Sequence, residues 1–261
     1  TYSRGFDQFS YNTPGILNKG KGCYVYDNFN RKFLDYGMGL RAIILGYANK
    51  KVNSAAIKQI NNGNNLTRPS NIELEVATKL KKNFSYIDMV KFAKNSSNAV
   101  TAATKLARAY NGRKLILRCQ DHPFFSFDDW FIGSTSLERG IPEEIKKLTK
   151  TFKYNDIKNF KVLLKKYKNQ ISSVVMEASS FCCPEIYGGK KENPVQAFSY
   201  GKVNKKSSYN YTPKQNYKKD HFLRDVQKLC KKNNIVFIVD ETITGFRWHF
   251  KGACYRYKVS P

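Results

Sequence analysis

A chain of 261 residues can bury one sizeable core or two modest ones, and a hydrophobic fraction of 41% with 14% aromatics excludes a disordered polypeptide. The formal net charge of +26 raises nucleic acid or an anionic membrane as a partner, but the lysines are spread over nearly every segment and no nucleic-acid motif accompanies them. A solvated, lysine-coated surface is the simpler expectation.

In chain order, residues 1–20 mix polar and aromatic side chains around a Pro14-Gly15 turn and read as an arm lying on the body. Cys23-Tyr24-Val25-Tyr26-Asp27 and Lys32-Phe33-Leu34-Asp35-Tyr36 are β-prone runs around Asn28–Arg31, a hairpin. Val52, Ala55, Ala56 and Ile60 recur at helical spacing up to a stop at Asn61-Asn62-Gly63. A second helix is predicted over 72–82, with Ser70, Asn71 and Glu73 as cap candidates. Met89–Phe92 reads as a short strand, and Asn95-Ser96-Ser97-Asn98 opens a helix rich in small residues.

Leu115–Leu117 is the next strand, followed by an aromatic loop over His122–Phe131. Thr151–Tyr154 reads as a strand, Asp156 caps a basic helix, and Ser172–Glu177 is a further buried strand. Residues 184–219 show neither periodicity; a structureless loop of that length is either functional or partly disordered. A helix over 221–232 then delivers the chain to Ile235–Val239, an apolar run of the kind buried on both faces of a parallel sheet, which ends at Asp240 and Glu241. Strands alternating with helices predict an α/β fold with a mainly parallel, doubly wound sheet, and the carboxyl ends of its strands are where a ligand binds.

Six cysteines and three histidines lack metal-ligand spacing, so no metal site is expected and the cysteines read as reduced thiols, the adjacent Cys182 and Cys183 included. No apolar run approaches the roughly 20 residues of a transmembrane helix and no signal peptide opens the chain, which predicts a cytoplasmic protein.

Asp240-Glu241-Thr242-Ile243-Thr244-Gly245-Phe246-Arg247 resembles the Asp-Glu-x-x-x-Gly-Phe-Arg signature of class III, pyridoxal 5'-phosphate (PLP) dependent aminotransferases, in particular the glutamate-1-semialdehyde aminomutase group. The N-terminal Gly20-Lys21-Gly22 leading into two strands that end in Asp-Tyr resembles the same family. So does Asn95-Ser96-Ser97, which stands where the family has a Ser-Gly-Thr-Glu-Ala phosphate cup, with Ser96 in place of its Gly and Asn98 in place of its Glu.

The resemblance implies a fold type I large domain over 71–261, with an insertion at 184–219, and an N-terminal arm and hairpin segment over 1–70. It implies PLP held by Asn95, Ser96 and Ser97 at the phosphate, by Phe124 stacked on the ring where a Tyr-His-Gly string is more usual, by Asp240 at the pyridine nitrogen and by Thr242 on the opposite ring face. Arg4 and Arg41 are candidates for a substrate carboxylate. The family's Schiff-base lysine is expected about seven residues beyond Pro261, and the C-terminal small domain with it, so no catalytic residue is assigned within the chain. The implied activity is transfer of an amino group between an amino donor and an aldehyde or ketone, in a homodimer. A lysine-less structural or regulatory relative and a basic nucleic-acid-binding protein stand as alternatives.

Overall fold

The computed structural model describes residues 14–64, 66–179, 183–184, 220–247 and 249–261. The chain divides into two compact units, Thr1–Glu75 and Val76–Pro261.

In the first unit, β1 (Leu17–Lys21), β2 (Tyr24–Asp27) and β3 (Lys32–Leu34) form an antiparallel sheet in that order. Strand β1 lies in the stretch expected to be an arm. Its backbone finds partners in β2, with Lys19 opposite Tyr26 and Lys21 opposite Tyr24, so pairing overrides a sequence with no apolar alternation. The hairpin is closed by Asp27, whose carboxylate accepts the amides of Phe29 and Arg31 at 2.9 Å each and pairs with Arg31 Nε at 2.7 Å. Next comes α1 (Met38–Arg41), a single turn in which all four residues have positive φ, from 45° at Met38 to 72° at Arg41. Three of the four are not glycine, an arrangement that costs roughly 1–2 kcal/mol for each such residue. Helix α2 (Lys50–Asn61) is capped by Asn49, which accepts the Lys51 and Val52 amides. Helix α3 (Asn71–Asn83) carries the division between units; Glu73 reaches back to the Ser70 amide at 2.7 Å.

In the second unit, residues 89–92 form no strand, contrary to their apolar reading. Met89 is 91% exposed, and no neighbouring strand takes up this backbone among the described residues. Helix α4 (Ser96–Asn111) follows, then β4 (Leu115–Cys119), two short helices α5 (Asp129–Ile132) and α6 (Glu143–Lys146), and β5 (Thr149–Phe152). The strand expected at 151–154 thus begins two residues earlier. Helix α7 (Ile157–Lys166), β6 (Ile171–Glu177), α8 (Phe222–Lys232), β7 (Val236–Asp240) and α9 (Gly252–Tyr257) follow among the described residues. All four strands are parallel, in the order β5-β4-β6-β7.

Each face of this sheet is covered. Leu117, Cys119, Phe152, Val174, Met176 and Phe237 pack with Phe160 and Leu164 of α7, Phe222 and Val226 of α8, and Ala253, Cys254 and Tyr257 of α9. The alternate residues Ile116 and Val175 turn to the other face and pack with Val100 of α4, Phe125, Trp130 and Phe131, with Ile238 at the margin. Strands β4 and β6 are buried at every position. Strand β7 departs from the fully buried expectation: Val236, Ile238 and Val239 are half-buried, because among the described residues no strand lies beyond it.

No helix among the described residues is long and apolar enough to cross a membrane. The 185–219 stretch lies outside the described residues.

Two substitutions on α7 separate core from surface. Phe160 is fully buried, its ring centroid 5.1 Å from that of Phe152, and Phe160→Ala is expected to lower unfolding stability by about 3–5 kcal/mol in urea titrations. Val162→Ala, at a 63% exposed position, is expected to stay within about 0.5 kcal/mol of wild type.

Candidate functional site

Helix α4 runs from one edge of the parallel sheet to the other. At its far end Asn111 Nδ2 donates to Ser172 O at 2.9 Å and Asn234 O at 3.3 Å, both at the amino ends of β6 and β7. Its first turn therefore lies at the carboxyl edge, beside the loop that leaves β4. Asn95 caps it: Oδ1 accepts the Asn98 amide at 2.9 Å. The amides of Ser96 and Ser97 have no acceptor among the described residues, and they sit at the positive end of a helix of 16 residues. Asn95 is exposed, Ser96 half-buried and Ser97 buried. Asn95 thus contributes by shaping the turn, its side-chain oxygen already being engaged.

The aromatic loop is stitched onto this turn. Ser126, fully buried, lies 2.9 Å from Thr101 Oγ1, accepts the Asp128 amide at 3.1 Å, and has Asp128 Oδ2 at 3.1 Å and Ser97 O at 3.3 Å as alternative acceptors for its one hydrogen. Trp130 Nε1 donates to Thr101 Oγ1 at 2.8 Å. Phe125 and Phe131 are core, whereas Phe127 is 60% exposed. Phe124 is 39% exposed, and its ring stands T-shaped to those of Phe127 and Phe131, with centroids 4.8 and 5.6 Å away.

Asp240 ends β7 opposite Glu177, which ends β6. By strand alternation it shares the α4-side face with Ile238. It is 9% exposed; Oδ1 accepts the Thr242 amide at 2.7 Å, and Oδ2 has no donor among the described residues. Thr242 is exposed. The first turn of α4, Phe124 and Asp240 with Thr242 are therefore brought to one edge of one sheet. Arg41 lies exposed in the first unit, and Arg4 lies outside the described residues.

Free backbone donors at a helix start, a part-exposed aromatic ring and a nearly buried carboxylate with one unclaimed oxygen fit a phosphorylated ring carrying a protonated nitrogen. Among the described residues no group of three His, Cys, Asp or Glu could hold a metal ion.

Three residues that sequence reasoning passed over complete the surroundings. His122 is 3% exposed and its Nδ1 accepts the Glu177 amide at 3.1 Å, which fixes the neutral tautomer with the proton on Nε2. Burial, helped by the charge of Arg118, pushes its pKa down to about 3. Arg118 is itself held by Ser134 Oγ at 2.6 Å, by Ser134 O and by Cys119 O at 3.1 Å, and stands over the Phe131 ring.

Glu241 does not face a ligand. Its Oε2 accepts Thr244 Oγ1 at 2.9 Å and the Ala253 amide at 2.7 Å, and its Oε1 accepts the Cys254 amide at 2.8 Å, so it caps α9 from across the loop. This requires Gly252, with φ +75°: a Cβ there would lie 2.6 Å from Glu241 Oε1. The neighbouring Cys254 thiol is pushed up by burial and by Glu241, which keeps it protonated. Only the adjacency of the two acids in the sequence hinted at a second role.

The sequence model of the family described as Aminotransferase class-III matches residues 6–257. A glutamate-1-semialdehyde 2,1-aminomutase from Francisella philomiragia is 29% identical over 266 aligned positions, covering 99% of this chain and 54% of that relative. Among solved structures, an omega-transaminase from Sphaerobacter thermophilus superposes with a TM-score of 0.74 at 22% identity, covering 97% of this chain and 54% of the other. A transaminase with PLP bound gives 0.75 at 19% identity over 96% of this chain and 54% of its own. The chain spans about half the length of the relatives it matches.

Two outcomes follow from this geometry. Because the folded-state pKa of His122 lies below its ordinary value of about 6.5, the unfolded chain takes up a proton that the folded one refuses. Stability is therefore fully present above pH ~6.5 and declines as pH falls toward ~3. Between pH 7.5 and 5.0 His122 should account for a loss of about 2 kcal/mol in urea unfolding. His221, also pushed down by burial, adds in the same direction. His122→Asn, which keeps an acceptor for the Glu177 amide, should remove the His122 share of that slope. Gly252→Ala should destabilise by about 2–4 kcal/mol in the same assay, through a left-handed alanine and a displaced Glu241 cap.

Proposed function

The chain belongs to the class-III aminotransferase family, and from that premise we propose that it forms the cofactor-binding part of an enzyme that uses PLP to move an amino group between an amino donor and an aldehyde or ketone. What supports this reading is the convergence of the α4 first turn, Phe124 and Asp240 at the carboxyl edge of one parallel sheet, where ligands of α/β folds bind. The relative named as a glutamate-1-semialdehyde 2,1-aminomutase favours an aldehyde of that kind as substrate.

Bound PLP supplies an electron sink for carbanion chemistry at the carbon that carries the amino group. In this reading the Ser96 and Ser97 amides, aided by the helix dipole, hold the phosphate. Phe124 covers one face of the ring and Thr242 contacts the other. Asp240 Oδ2 accepts a hydrogen bond from the ring nitrogen and so holds the proton there, with Oδ1 kept in place by the Thr242 amide. The open oxygen and low exposure of Asp240 make that ion pair stronger than it would be in water. Arg41, on the left-handed turn of α1, and Arg4 are assigned to a substrate carboxylate, which guanidinium grips with two parallel bonds.

Residues 1–70 are assigned as an N-terminal arm and hairpin segment, and 71–261 as the large domain with an insertion at 184–219. We assign the whole protein to the cytoplasm as a homodimer. The reduced, buried Cys119, Cys230 and Cys254 fit a reducing compartment. The exposed Leu40, Ile44 and Leu45 fit a subunit contact.

The test is Asp240→Asn in the full-length protein. PLP retention, followed by equilibrium dialysis, should survive because the phosphate donors remain. Single-turnover amino transfer should fall by about 100-fold or more. Undiminished transfer would remove Asp240 from the cofactor's anchor, and a wild type that takes up no PLP would overturn the assignment.

A further inference from the structure

The aromatic loop and the start of α4 meet through hydroxyl groups rather than through apolar packing alone. The direction of the hydrogen bonds can be worked out from what each group is able to donate. Trp130 Nε1 is only a donor, so its 2.8 Å bond occupies a lone pair of Thr101 Oγ1. Ser126 Oγ, 2.9 Å away, is the one acceptor within reach of the Thr101 hydroxyl among the described residues, whereas Ser126 has others, so both hydroxyls are used only if Thr101 donates to Ser126. Ser126 also accepts the Asp128 amide, which fills its second lone pair. Its single hydrogen then goes to Asp128 Oδ2 at 3.1 Å or to Ser97 O at 3.3 Å. The chain runs one way, from the Trp130 indole through Thr101 and Ser126 to a carboxylate, with every hydroxyl used once as donor.

Two members of this chain, Ser97 and Thr101, stand one turn apart at the beginning of α4. The others flank Phe124: Ser126 two residues after it, and Trp130 beside Phe131, against which the Phe124 ring rests at 5.6 Å. We propose that Ser126 is a positioning residue, whose hydroxyl fixes the span between the anion-binding turn of α4 and the ring of Phe124. This rests on the cofactor site proposed above. A ligand whose phosphate and ring are joined by a short covalent link needs that span held to within a fraction of an ångström. Apolar contacts of Phe125 and Phe131 resist compression but not sliding, whereas a directional chain of hydrogen bonds resists both.

The experiment uses the full-length protein with Ser126→Ala, Thr101→Val, their combination, and Thr101→Ser as the conservative replacement. PLP dissociation constants, the thermal midpoint of the cofactor-free protein and the indole N–H resonance of Trp130 in tryptophan-labelled protein are measured, the resonance being identified by its loss in Trp130→Phe. Ser126→Ala and Thr101→Val are each expected to weaken PLP binding about tenfold. The double variant should be little weaker than either alone, because both cut the same chain. Thr101→Ser should restore affinity, and the Trp130 resonance should move in Thr101→Val.

Additive losses in the double variant would overturn the inference. So would an unchanged PLP affinity accompanied only by a lower thermal midpoint, which is what a purely structural hydroxyl would give. A wild type that binds no PLP overturns this inference together with the proposed function. A wild type that binds it while both single variants bind equally well overturns this inference alone.

Discussion

Burying β4 and β6 along their whole length, on both faces, makes partners inside the protein favourable for the polar groups at their carboxyl ends. The loops that leave those strands cannot be slack, because water is not at hand to satisfy them. His122 answers the Glu177 amide, Ser134 answers Arg118, and Ser126 ties its own loop to α4. The rigidity a binding site needs is thus a by-product of how the sheet is covered. Unclaimed contact surface remains where burial relaxes, at Phe124, and where a buried oxygen has no donor among the described residues, at Asp240 Oδ2.

The two neighbouring acids at the end of β7 show how one residue's difference in position separates two roles. Strand alternation turns Asp240 to the α4 face, where one oxygen stays unclaimed. Glu241, one step on, leaves the strand and gives both oxygens to the start of α9 and to Thr244. The first acid therefore has something to offer a ligand, and the second holds the loop that presents the first. Gly252 belongs to the same device, since only a residue without a side chain lets the Glu241 carboxylate come close enough to cap α9.

Much of this was legible in the sequence wherever a periodic apolar pattern met a specific punctuation. The strand ending at Asp240, the Asn95 cap and the helix over 222–232 are examples, each resting on local chemistry that tertiary contacts reinforce. The failures have a common physical origin. Met89–Phe92 has strand composition without a neighbouring strand to pair with, and β1 has a neighbour without strand composition; pairing is a non-local property that a short window does not contain. His122, Ser126 and Glu241 escaped notice for a related reason. Their partners lie 55, 29 and 13 residues away in sequence, as in the bonds to Glu177, Ser97 and Cys254.

Helix α4 is anchored at both of its ends, by the Thr101–Ser126 hydrogen bond at one edge of the sheet and by Asn111 at the other. At about 1.5 Å per residue its 16 residues make a strut of about 24 Å laid across the full depth of the sheet. A helix fastened only at one end would have to be immobilised by whatever it binds, and the ordering entropy would be subtracted from the affinity. In the proposed cofactor site the amides of Ser96 and Ser97 would therefore be aimed before the phosphate arrives, and the attraction of the helix terminus would go into holding it rather than into stilling the protein.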